Sequence, residues 1–239
     1  VALFEPDADI ADAIAIAAAA CKLSEVPAFT TEAVAEQNWV QLTQSQFDPI
    51  RVSERLWIVP SWHDAPDPAA INLILDPGMA FGTGSHPTTR LCLEWLERSV
   101  RPGESLLDYG CGSGILAIAG ARLGACPVDG VDIDPQAVLA AEANAQRNNV
   151  SARFFDSTRP VSACYDRVVA NILSNPLKVL APAICGHVRA GGELALSGIL
   201  AEQAEELMAI YSEWIPLHVA DSREGWVCLS GRKPESCAC

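Results

Sequence analysis

A chain of 239 residues and 25.4 kDa holds one large domain, or one domain with a small appendage. Half of its residues are apolar and 19% are charged, enough to bury a sizeable core, which excludes an extended disordered chain. Its 30 Asp and Glu outweigh its 16 Lys and Arg, and the net charge of −14 argues against a nucleic-acid coat or an anionic membrane surface and for a basic partner.

Residues 1–37 read as strand, helix, strand, with Leu3-Phe4 in the first strand and Ile10 and Ile14 on one helix face. One such unit cannot cover both faces of a sheet, so it is expected to lean on something else. Residues 37–47 read as a short amphipathic helix that Asp48-Pro49 ends. Residues 56–59 and 71–75 are strand-like, with a Pro- and Asp-rich turn between them. A glycine-rich loop, 76–89, then leads into a helix at about 88–100.

Beyond Arg101-Pro102-Gly103 the signals alternate. Strands are expected at 105–109, 128–132, 153–155, 167–170 and 193–197, and helices at 114–123, 135–148, 177–188 and 201–214. Residues 217–232 carry two short strands broken at 222–225, a hairpin-like turn. Alternating strands and helices predict a mostly parallel α/β sheet covered on both faces, and the hairpin adds an antiparallel edge.

The nine cysteines include no C-x-x-C pair, so no metal site is expected. Cys92, Cys111, Cys126, Cys164, Cys185 and Cys228 are expected to be reduced, small buried side chains. Cys237 and Cys239 give two ligands on a polar tail, too few for a metal centre. The apolar run 10–21 carries Asp12 and is too short to span a bilayer. The Val start suggests a fragment, or a start downstream of the natural one.

The run L-L-D-Y-G-C-G-S-G, residues 106–114, sits where a strand ends and a helix begins. Gly110, Gly112 and Gly114 allow a tight turn and a close ligand approach, and the helix start offers free N–H groups. Asp132, at the end of the next strand, is placed to accept hydrogen bonds from ribose hydroxyls. Asp108, two residues before the first glycine, would repel a pyrophosphate and suits a cofactor bearing an ammonium group. The motif is G-x-G-x-G with Ile115 at the third dinucleotide position, which argues for S-adenosylmethionine over NAD. Asn171 follows a strand at the carboxyl edge, where its amide could hold an amine facing a methyl donor. The loop 81–89, taken alone, is a glycine-rich turn capped by Ser85 or Thr88.

The runs N-L-I-L-D-P-G-M-A-F-G-T-G-S-H-P-T-T (72–89), L-L-D-Y-G-C-G-S-G-I-L-A-I-A (106–119), G-V-D-I-D-P-Q-A (130–137) and V-V-A-N-I-L (168–173) resemble the bacterial methyltransferases that modify the eleventh protein of the large ribosomal subunit. E-R-L-W-I-V-P-S-W (54–62) and W-V-C-L-S-G-R-K (226–233) are similar too, so the resemblance covers nearly the whole chain. The glycine motif and Asp132 are common to most class I methyltransferases, whereas the A-F-G-T-G-x-H-x-T-T loop is far more specific.

The resemblance implies a class I, Rossmann-like methyltransferase fold with a seven-stranded sheet, and S-adenosylmethionine as donor. It implies lysine ε-amines and the N-terminal α-amine of that ribosomal protein as substrates; the net charge of −14 adds the expectation that this basic protein is met free of the ribosome, and the reduced cysteines that of a cytoplasmic enzyme. Thr89, Gly110, Asp132 and Asn171 match cofactor-binding positions, and Phe81, Gly82, Thr83 and Gly84 match the loop that closes over the cofactor. It further implies that 1–36 is the remnant of an α+β recognition domain with only its second half present, 37–48 a linker helix and 49–239 the catalytic domain. The alternatives are a class I methyltransferase for another protein or small molecule, an NAD-dependent oxidoreductase, or a non-catalytic binding module. P-loop, zincin and α/β-hydrolase signatures are absent.

Overall fold

The computed structural model describes residues 8–23, 25–31, 47–76, 86–156 and 163–235. By its internal contacts the chain divides into two units, Val1–Gln46 and Phe47–Cys239.

In the first unit, α1 (Ile10–Ala20) starts where Asp9 Oδ1 accepts the Asp12 N–H at 3.0 Å, which satisfies one orphan donor of the first turn. The expected strand after it is not formed at residues 25–31, where Val26 and Phe29 are exposed. An extended segment becomes a strand only through a ladder partner, and none is present among the described residues. The expected strand at Leu3-Phe4 and most of the helix expected at 37–47 lie outside the described residues.

The second unit opens with a small sheet of β1 (Ile50–Arg51), β2 (Leu56–Val59) and β3 (Ile71–Ile74). β1 pairs antiparallel with β2, while β2 and β3 run parallel. Asn148 ties this sheet to the main body. Its side chain donates to Ile74 O at 2.8 Å and accepts from Ile74 N at 2.7 Å. After α2 (Pro87–Ser99) come β4 (Leu106–Tyr109), α3 (Ile115–Arg122), β5 (Val128–Asp132), α4 (Pro135–Arg147) and β6 (Arg153–Asp156). Then follow β7 (Tyr165–Asn171), α5 (Ser174–Gly186), β8 (Val188–Leu200), a 3₁₀ turn (Ala201–Gln203), α6 (Ala204–Tyr211), β9 (His218–Arg223) and β10 (Trp226–Arg232).

The main sheet has seven strands in the order β6-β5-β4-β7-β8-β10-β9. The first five run parallel, and β10 reverses against both β8 and β9. This is the expected class I methyltransferase sheet. Chain order reverses beside β4, where β5 lies on one side and β7 on the other, and such a switch point opens a crevice at the carboxyl ends of the strands.

The helices follow from spacing and caps. Pro135 opens α4 behind the Asp134 cap, and Ala137, Ala141 and Ala145 recur every four residues to form its buried face. One buried cluster joins α2, α3 and α4 to one face of the sheet, and a second joins α5 and α6 to the other. Trp95 of α2 donates its indole N–H to Ser230 Oγ of β10 at 3.0 Å, locking helix to sheet.

α5 starts at Ser174 rather than 177, because Pro176 falls in its first turn, where the missing N–H costs nothing. β8 is longer than expected because β7 and β10 flank it along most of its length. Cys92, Cys111, Cys185 and Cys228 are free and buried as expected, whereas Cys126 is exposed and Cys164 is disulfide-bonded. Among the described residues no group of three metal-ligating side chains occurs, and no helix is long and apolar enough to cross a membrane.

Candidate active site

A cavity of about 400 Å³ opens at the carboxyl end of the sheet, within the range of small-molecule sites. Its floor is the turn between β4 and α3. Gly110 and Cys111 donate to Val131 O at 2.8 and 3.0 Å, which folds the turn onto β5. Gly110 has φ +79° there, and a Cβ added to it would collide with the Ile172 side chain. The turn is therefore closed to larger residues, and the backbone itself forms the cavity floor.

Asp132 ends β5 beside this turn. Its Oδ2 accepts the Gly112 N–H at 2.8 Å and its Oδ1 accepts the Asp134 N–H at 3.0 Å. Each carboxylate oxygen has a second lone pair, so capacity remains for a hydroxyl-bearing ligand. Ile133, next in the chain, is 83% exposed.

Asn171 ends β7, its Cα paired with Ser197 of β8. Its Nδ2 donates to Thr89 Oγ1 at 3.3 Å. Thr89 lies in the first turn of α2 and is 1% exposed. With the amide nitrogen engaged, Oδ1 is the atom left to accept from an incoming group.

Asp108 and Gly114 are not on the cavity wall. Asp108 is 1% exposed beneath the turn, and its Oδ2 accepts the Ala117 N–H at 3.0 Å, anchoring the first turn of α3. Its Oδ1 is buried without a hydrogen bond. Burial pushes its carboxyl up to about 7, the Ala117 bond draws it down, and Asp132 raises it further. Gly114 is the N-cap of α3 and packs against Ala141 and Phe154. Burial, with Asp108 and Asp132 beside it, raises the Cys111 thiol far above its ordinary range, so Cys111 lines the cavity as a neutral apolar group.

The remaining wall comes from residues that the spacing of local motifs does not expose. His86 accepts from Thr88 N through Nδ1 at 3.4 Å and so caps α2. Its ring meets Trp226 of β10 edge-on at 4.9 Å, and both line the cavity. Gly198 of β8 faces Ile172, and Leu173 and Pro176 form the rim. Among the described residues no Lys or Arg lines the cavity and Asp132 is its one carboxylate, which favours a cofactor carrying positive charge over one carrying a pyrophosphate. These residues fit S-adenosylmethionine and do not favour NAD.

The family model for ribosomal protein L11 methyltransferase (PrmA) matches residues 1–234. The chain belongs to the ribosomal protein L11 methyltransferase family.

The family's Dechloromonas aromatica member is 75% identical over 234 residues, spanning 98% of this chain and 79% of the relative. The Cupriavidus taiwanensis member is 59% identical over the same shares. A crystal structure of a ribosomal protein L11 methylase from Lactobacillus delbrueckii subsp. bulgaricus superimposes with TM-score 0.72 at 32% identity, covering 79% of this chain and all of that one. As a member of the ribosomal protein L11 methyltransferase family, the chain is a class I methyltransferase whose donor is S-adenosylmethionine.

Of the positions that the resemblance implied, Thr89, Gly110, Asp132 and Asn171 share the cavity. Gly112 does as well, whereas Phe81, Gly82, Thr83 and Gly84 lie outside the described residues. His86 stood inside the family-like run 72–89, and Trp226 opened another, 226–233. Membership of those runs was the one signal that could have marked them as wall.

Proposed function

We propose that this chain transfers methyl groups to the lysine ε-amines and the N-terminal α-amine of ribosomal protein L11. The relatives' names support the protein substrate, and the Asn171–Thr89 hydrogen bond is the observation that carries the amine chemistry. In this reading Asp132 and the backbone at Gly110 and Gly112 hold the cofactor, with Thr89 and Asn171 on the opposite side. Bound there, the sulfonium supplies an electrophilic methyl carbon.

Asn171 Oδ1 accepts an N–H of the amine and turns its lone pair toward that carbon. Orientation of this kind supplies most of the rate of an in-line displacement. The nucleophile must be neutral, yet a lysine amine has a pKa near ~10.4 in water. The mostly apolar wall, with Ile172, Leu173, Pro176 and Trp226, disfavours the ammonium form and lowers that value. Asp108, buried under the turn, is not used as a base in this reading.

The net charge of −14 supports a basic protein met free of ribosomal RNA, and so a cytoplasmic enzyme. Residues 1–36 are taken as part of a substrate-recognition region, 37–48 as a linker and 49–239 as the catalytic domain; the division of contacts after Gln46 is consistent with this.

Mass spectrometry of L11 incubated with the chain and S-adenosylmethionine tests the proposal. Added multiples of one methyl mass on lysines and the N-terminus are expected, and an unchanged mass refutes the substrate. Asn171→Ala should keep cofactor affinity within about threefold while the rate falls about 100-fold, the scale of a misplaced nucleophile. An unchanged rate refutes the role of Asn171.

A further inference from the structure

The exposed side of α5 carries almost no charge. At 100° per residue, Leu173, Pro176, Val179, Leu180 and Ala183 fall within an arc of about 120°. Leu173 is 68% exposed, Val179 is 79% exposed, and Pro176 and Ala183 are exposed too. Asn175 and Pro182, further round the helix, are exposed and uncharged. The helix has one charged residue, Lys178, and Glu206 of α6 neutralises it at 2.6 Å.

Single exposed apolar residues are ordinary, but a continuous uncharged stripe marks a contact surface. In a chain with a net charge of −14, an uncharged solvent face needs a reason. The stripe also begins at the cavity, since Leu173 and Pro176 are both its first residues and part of the cavity rim.

We propose that the α5 stripe is the ledge on which the polypeptide substrate lies while its amine enters the cavity. This rests on the reading of the chain as an L11 methyltransferase and adds a docking surface to it. A lysine stem has four carbons, about 6 Å of reach, so the substrate backbone must cross the rim within that distance of the reacting atoms. A surface continuous with the rim is the first one that backbone meets. From Leu173 to Ala183 the helix rises about 15 Å, which four or five extended residues span. The occupant is therefore a short extended segment flanking the target amine, with apolar side chains against Leu173, Pro176 and Val179.

The test uses the full chain with L11 and S-adenosylmethionine. Val179→Lys and Val179→Asp place opposite charges on a fully formed surface position, and Leu139→Lys is the control, on exposed α4 at the opposite face of the sheet. Both Val179 variants should raise KM for L11 about fivefold to tenfold, with kcat and cofactor affinity unchanged, as for loss of a contact at the edge of an interface. Val179→Leu and Leu139→Lys should leave KM unaltered. An unchanged KM in both charged variants overturns the docking surface and leaves the substrate reading standing. Opposite shifts in KM, up for one charge and down for the other, overturn it as well, since they report electrostatics rather than apolar contact. If sedimentation shows a wild-type dimer that either charged variant dissociates, the stripe is an interface between copies and the inference falls. If wild-type chain does not methylate L11 at all, the substrate reading fails and this inference with it.

Discussion

Gly198 permits a sharp test of how β8 shapes the cavity. It has φ +83°, and a Cβ built on it would lie 2.8 Å from the Ile172 carbonyl carbon and nearer still to its oxygen. Because those are backbone atoms, no side-chain rotation relieves the clash. Gly225, in the β9–β10 turn, has φ +80° but nothing within 4 Å of such a Cβ. Gly225→Ala therefore measures the left-handed strain alone, about 1–2 kcal/mol. Gly198→Ala adds overpacking of about 1–3 kcal/mol, for a total near ~2–5 kcal/mol. The loss of chain freedom in the unfolded state is common to both and cancels in the comparison. Only Gly198→Ala should displace Ile172, which stands between Asn171 and the rim residue Leu173, so it alone should slow methyl transfer. Urea unfolding gives the two stabilities, and a methylation assay on folded protein gives the rates. Equal destabilisation by the two substitutions, or a wild-type rate in Gly198→Ala, would refute the claim that this contact shapes the wall.

Asp108 makes stability depend on pH. Its folded carboxyl is raised from 3.8 to about 7 by burial, so between those values the native state holds a proton that the unfolded state has lost. Stability therefore falls as pH rises from about 4 to about 7, by roughly 4 kcal/mol for this group, and levels off above. Asp108→Asn should flatten that slope and unfold at higher denaturant than wild type at pH 8; an unaltered slope in urea titrations at pH 5 and 8 would count against it. Lys233 is buried with Nζ donating to Cys185 O at 3.0 Å and Val188 O at 2.8 Å, closing the end of α5. Lys233→Met removes both of these hydrogen bonds and should cost about 1–3 kcal/mol in chemical denaturation, with cofactor affinity retained.

The strand–helix alternation after residue 101 was legible because 2.0 and 3.6 periodicities are local. Asp132 and the glycine turn were legible for the same kind of reason, since a tight turn needs particular backbone freedom at fixed short spacing. The paired strands of the small sheet were harder. β2 and β3 each read as a strand, but their parallel pairing depends on the crossover between them.

Local pattern determined that Asp108 stands two residues before the turn, but only the fold decided which way it points. β4 is buried on both faces, so its carboxylate turned inward against α3 rather than toward the cavity. The sequence by itself determined the alternating strands and helices after residue 101, the turn and the acid at the end of β5. The tertiary structure decided that His86 and Trp226, 140 positions apart in the chain, meet as one wall. That meeting follows from β10 returning antiparallel beside β8 while α2 packs across both, a register set by packing and not by any local spacing.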